Sequence, residues 1–105
     1  MRTEAMTVVR SGLKSRIDAI AAQQGHISQL RIAEEIDHIR HDARIHGLLS
    51  VENLASTLES ALARGALGPA LLSYLDLIRD AIECDDSSPE VCNAYLAALS
   101  LRIGN

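Results

Sequence analysis

Apolar residues recur along this chain at intervals of three and four. Met6, Val9, Leu13, Ile17 and Ile20 stand at spacings of 3, 4, 4 and 3, which predicts one buried face of an α-helix over residues 3 to 24, ended by Gly25. Ser28 is placed to cap a second helix. In it Ile32, Ile36, Ile39, Ala43 and His46 form a seam at spacings of 4, 3, 4 and 3, stopped by Gly47. A third helix follows Ser50 and turns Val51, Leu54, Ala55, Leu58 and Leu62 inward. Glu52 stands in its first turn, Arg64 in its last and Gly65 just beyond. Gly68 and Pro69 open a fourth, with Leu71, Leu75, Ile78 and Ile82 inward and Asp76, Arg79, Asp80 and Glu83 outward. After the polar break of Asp85, Asp86, Ser87 and Ser88, with Ser88 as cap, Pro89 and Glu90 open a shorter last helix. It uses Val91, Tyr95, Ala98 or Leu99 and frays at Arg102.

Strand signals and internal repeats are absent, and the connections are short, which favours antiparallel neighbours. The expected fold is all-α: an antiparallel up-and-down four-helix bundle with a shorter fifth C-terminal helix, one domain over residues 1–105. Apolar residues make up 48% of the chain, yet there is no Phe or Trp and only Tyr74 and Tyr95, so the core must be packed from Leu, Ile, Val and Ala. Such a core suits closely packed helices. The shortage of aromatic rings also argues against single-stranded nucleic-acid platforms and most cofactor pockets.

Charge is unevenly placed. Arg2, Arg10, Lys14 and Arg16 outnumber Glu4 and Asp18 near the N-terminus, whereas Asp76, Asp80, Glu83, Asp85, Asp86 and Glu90 outnumber Arg79 and Arg102 in the last third. This polarity suits steering of a protein partner and is too sparse in cations for a duplex-binding surface. The segment from residue 48 to 68 has the style of a helix-turn-helix half. The next stretch, Pro69 to Ile82, is acidic and Leu-rich, with little to offer base edges, so no nucleic-acid partner is expected. No apolar run is long enough to span a membrane and no signal peptide is evident, so a cytoplasmic location is expected. Cys84 and Cys92 have no zinc-site partners and no C-x-x-C spacing. They are read as packing residues, with a redox pair between neighbouring helices as the alternative.

The chemically suggestive cluster lies on the second helix, where His38, His41 and His46 accompany Glu34, Glu35, Asp37 and Asp42. Stepping about 100° per residue from the Ile32–Ala43 seam puts His38 about 130° away and His41 nearly opposite, so both face solvent. Carboxylates one turn away pair Glu34 with His38, Asp37 with His41 and Asp42 with His46. His46, on the seam at the helix end, would gain from the helix dipole when charged and lose from burial.

An exposed histidine midway along the second helix of an antiparallel bundle resembles the acceptor of histidine phosphotransfer domains. Gly47, Val51, Leu54, Ala55, Leu58-Glu59 and Arg64-Gly65 are similar to the stretch beyond the acceptor helix in that family. The resemblance covers roughly residues 30 to 82. It implies a phosphorelay module with His38 as phosphoacceptor and a response-regulator receiver domain as partner. The family's Lys and Gly at the third and fourth positions after the acceptor are His41 and Asp42 here, and the nearest cation is Arg40.

Two further chemistries fit the same residues less fully. Glu35 with His38, and His38 with His41, are spaced as helical metal ligands, but one outward-facing helix supplies too few, so no metal or other cofactor is expected. Histidines beside carboxylates could instead make association respond to pH. No catalytic residue set is present, so the chain is not read as an enzyme. The expected function is a non-enzymatic protein–protein interaction or signalling adaptor. Its docking face is Leu30, Glu34, His38, His41 and Ile45, and its partner is another protein or a second copy of itself. A metal- or pH-responsive homodimeric regulatory bundle is the alternative.

Overall fold

In the computed structural model, which describes residues 3–66 and 68–103, five α-helices follow one another: α1 (Glu4–Gln23), α2 (Gln29–Ile45), α3 (Leu49–Ala63), α4 (Pro69–Glu83) and α5 (Pro89–Arg102). Arg2, counted in the N-terminal surplus of positive charge, lies outside the described residues. Three helices begin at hydroxyl caps, each accepting an orphan backbone N–H: Thr3 from Met6 at 3.1 Å, Ser28 from Arg31 at 3.1 Å and Ser88 from Val91 at 3.3 Å. At α4, Pro69 occupies the first turn, where its missing N–H costs nothing.

The α2–α3 junction departs from the expected start of the third helix after Ser50. Gly47 takes a left-handed conformation with φ 71°, its N–H donating to Arg44 O and that of Leu48 to Ala43 O at 2.9 Å. This is a Schellman closure, and it drives Leu48 into the core. Leu48 therefore ends α2 and opens α3 by itself, while Ser50 falls inside the first turn, buried and with its hydroxyl unpartnered. The same closure recurs after α3, where Gly65 lets Ala66 reach back to Ala61 O at 2.9 Å.

Four helices form a ring. α1 packs against α2 and α4, and α3 against α2 and α4, with no close backbone approach across either diagonal among the described residues. Pairs between helices give their directions: Lys14 with Glu83 and Asp18 with Arg79 set α1 against α4, and Asp80 with Tyr95 and Asp76 with Arg102 set α4 against α5, each antiparallel. The fifth helix lies over the groove between α3 and α4. It has 14 residues, nearly the 15 of α3 and α4, so it flanks the bundle along most of its length.

Ile36, Ile39, Ala43, Leu54, Ala55, Leu58, Leu71, Ile78 and Ile82 are wholly excluded from solvent and form the centre of the core. Each large aliphatic side chain buried this way contributes about 1.5–3 kcal/mol. None of the described helices is long and apolar enough to cross a membrane.

Candidate functional site on the outward face of α2

Among the described helices only α1 and α3 bring their backbones close to that of α2, and α5 lies on the far side of the bundle. Its inward face is Ile32, Ile36, Ile39 and Ala43, all buried as their spacing predicts. Leu30, Glu34, His38, His41 and Ile45 occupy the opposite side and are all exposed, Leu30 at 70% and Ile45 at 71%. Successive steps of about 100° place these five side chains within an arc of about 80°, centred nearly opposite the buried seam. They form a stripe about 22 Å long at a helical rise of about 1.5 Å per residue.

His46 does not belong to the buried seam. It is the C-cap residue of α2 and exposed, because the chain turns away at Gly47 and the next core position is filled by Leu48. Two of the carboxylates expected to pair with histidines one turn away instead meet arginines. Glu34 lies 3.8 Å from Arg31, and Asp37 binds Arg40 at 2.6 Å. A guanidinium offers a permanent charge and several donors, and so outcompetes an imidazole for the same carboxylate.

Arg40 is held on two sides. Its Nη2 donates to Asp37 at 2.6 Å and its Nε to Glu59 of α3 at 2.9 Å, which ties α2 to α3 on a flank about 160° around the helix from His38. The Arg40 guanidinium in turn holds the Asp37 carboxyl below the usual carboxylate range. His38 itself has no hydrogen-bond or ion-pair partner among the described residues. Glu35 turns toward α1, 3.9 Å from Arg16 and 3.3 Å from Arg31, and so does not join His38 in a ligand set. Among the described residues no group of three or more His, Cys, Asp or Glu side chains is arranged to hold a metal ion.

The cysteines are both free thiols with different neighbours. Cys92 is buried and accepts from Asn53 Nδ2 of α3 at 3.1 Å, whereas Cys84 is half-buried against the Asp86 carbonyl. A cavity of about 490 Å³ opens at one end of the bundle between Gln24, Ile27, Gln29, Ile32 and Leu71, and neither His38 nor His41 lines it.

Sequence reasoning missed two long-range caps. Arg10 of α1 is buried at 6% exposure and donates to the Ile82 carbonyl and, at 3.1 Å, to that of Cys84, with Asp85 at 3.5 Å. Gln29 donates to the Leu62 carbonyl at the end of α3. Arg10 stands four residues after Met6 and three before Leu13, on the inward face, and that placement was the available signal. No family model, curated protein or solved structure matches this chain.

Proposed function

We propose that this protein is a non-enzymatic interaction module that binds another protein chain through the outward face of α2. The observation that carries the reading is the stripe itself. Two large aliphatic side chains stand about seven-tenths exposed at its ends, with a carboxylate and two imidazoles between them, on a helix face that no other described element covers. Exposed apolar side chains aligned along one helix, with polar groups between them, suit recognition of a protein surface.

Phosphotransfer is the form of this reading that the family resemblance supplies. His38 is exposed midway along α2, as a phosphoacceptor requires. A nitrogen lone pair of its imidazole would form an N–P bond as the acyl-phosphate P–O bond of a receiver domain breaks. The receiver's aspartate leaves as a carboxylate, and the proton on the other ring nitrogen passes to water. Arg40 is already engaged by Asp37 and Glu59, so on this reading the countercharge for the phosphoryl group comes from the partner.

The docking reading is tested by placing a photo-crosslinking amino acid at His41, and as a control at the exposed Ser100 of α5, in the host cell. An adduct from position 41 that disappears in the Leu30→Asp/Ile45→Asp variant supports it; no adduct from position 41 overturns it. The phosphotransfer form is tested with radiolabelled phosphorylated receiver domains of the same host, mixed with wild type and His38→Ala. Label on the wild type alone supports His38 as acceptor. Label retained on His38→Ala, or label on neither, removes that role.

A further inference from the structure

We infer that the partner for the outward face of α2 is a second copy of this chain, docked antiparallel about a two-fold axis that passes between residues 37 and 38; the inference rests on the docking reading. The stripe is chemically palindromic. Leu30 and Ile45 lie equally far from that midpoint on either side, and so do Glu34 and His41. In an antiparallel pair of α2 helices, residues equidistant from the axis oppose each other, so Leu30 meets the partner's Ile45 and Glu34 meets the partner's His41. Every such layer occurs twice, giving two aliphatic contacts at the ends and two carboxylate–imidazole contacts inside them. An imidazole N–H donates to a carboxylate whether or not the ring is protonated.

The flanks agree with this register. Arg31 and Arg44 are also equidistant from the axis, but by helical stepping they lie about 140° apart around α2, on opposite sides of the stripe. A two-fold axis carries each flank onto the same flank of the partner, so these two arginines do not face each other. Asp37 and His38 are likewise equidistant from the axis but lie about 100° apart around α2, so they too fall on different flanks, and Asp37 keeps its pair with Arg40. A parallel pairing would instead set Glu34 against Glu34 and His41 against His41, and it is disfavoured by like-charge repulsion. No described helix competes for the surface, since among them only α1 and α3 come close to α2, and both pack toward its inward side.

The test is the oligomeric state by sedimentation velocity over a range of concentrations, with circular dichroism as the check on folding. Wild type is expected to reach twice the monomer mass and to dissociate on dilution. Leu30→Asp/Ile45→Asp is expected to be a folded monomer. His41→Glu sets two carboxylates opposite each other and is expected to weaken the dimer about tenfold or more. The swapped variant Glu34→His/His41→Glu restores the pairing with its sense reversed and is expected to dimerise like wild type. A wild type that stays monomeric, a dimer unaffected by Leu30→Asp/Ile45→Asp, or a swap no better than His41→Glu overturns the inference. The crosslink from position 41 separates the two readings. An adduct of one chain with a different protein overturns the self-pairing and leaves the docking reading, and no adduct of either kind overturns both.

Discussion

Arg10 shows how one side chain can hold two distant ends of the chain. The C-terminus of a helix leaves carbonyls without intrahelical partners, and α4 ends at Glu83 without a basic residue in its last turn. Arg10 reaches from α1 to supply the donors, and its charge also complements the negative end of the helix dipole. Replacing it leaves the Ile82 and Cys84 carbonyls without that partner. Arg10→Met is therefore expected to lose about 2–3 kcal/mol in urea denaturation, as for buried hydrogen bonds to a charged group. Lys14 makes a short ion pair with Glu83 one turn away, but both side chains remain partly in water. Lys14→Met should cost under about 1 kcal/mol. Equal losses for the two variants would mean that Arg10 acts as a surface charge instead of as a cap.

At the scale of the element, α2 is two surfaces on one cylinder. Its spacing of isoleucines showed which side is buried, and the four seam residues from Ile32 to Ala43 are buried. The helix ends were less legible. Ser28 caps as its residue type suggests, while Ser50 does not, because the backbone closure at Gly47 and Leu48 starts α3 earlier than any side chain advertises. A Cβ added at Gly47 would meet no neighbour, so glycine is needed there for its positive φ and not for space. The two faces of α2 should separate cleanly in mutagenesis. Ile36, at 0% exposure, is expected to cost about 2–5 kcal/mol when cut to Ala, whereas Leu30→Ser should stay within about 0.5 kcal/mol of wild type. Thermal melts of the dilute protein, where association contributes nothing, provide the comparison. A large loss from Leu30→Ser there would place Leu30 in the fold instead of on a docking face.

At the scale of the molecule, polar pairs lace the helices into the ring. Asp18 of α1 binds Arg79 of α4 at 2.9 Å, and Asp37 of α2 shares Arg40 with Glu59 of α3. Both aspartates are held below the ordinary carboxyl value of 3.8 by hydrogen bonds to their arginines. Their folded values lie below their unfolded ones, so the unfolded chain binds more protons in acid. The stability they supply is complete above the ordinary value and is lost as pH falls through it toward the folded values. The melting temperature should thus drop between about pH 5 and pH 2, and Asp18→Asn should flatten that drop while lowering stability at neutral pH. An unchanged acid slope in Asp18→Asn would show that the pair with Arg79 does not persist in solution.

The sequence by itself determined the helix count, the inward face of each main helix, the caps at Ser28 and Ser88 and the outward placement of His38 and His41. These rest on a periodicity of 3.6 residues and on the chemistry of single residues, and both act over a few positions of the chain. Only the tertiary structure decided that α5 covers the groove between α3 and α4 and leaves α2 open, that Arg10 caps α4, and that Arg40 rather than a histidine takes Asp37. Those outcomes depend on which side chains from distant segments arrive within bonding distance, and on competition among several donors for one acceptor. Local spacing carries no record of either, because the competing partners become neighbours only when the helices pack.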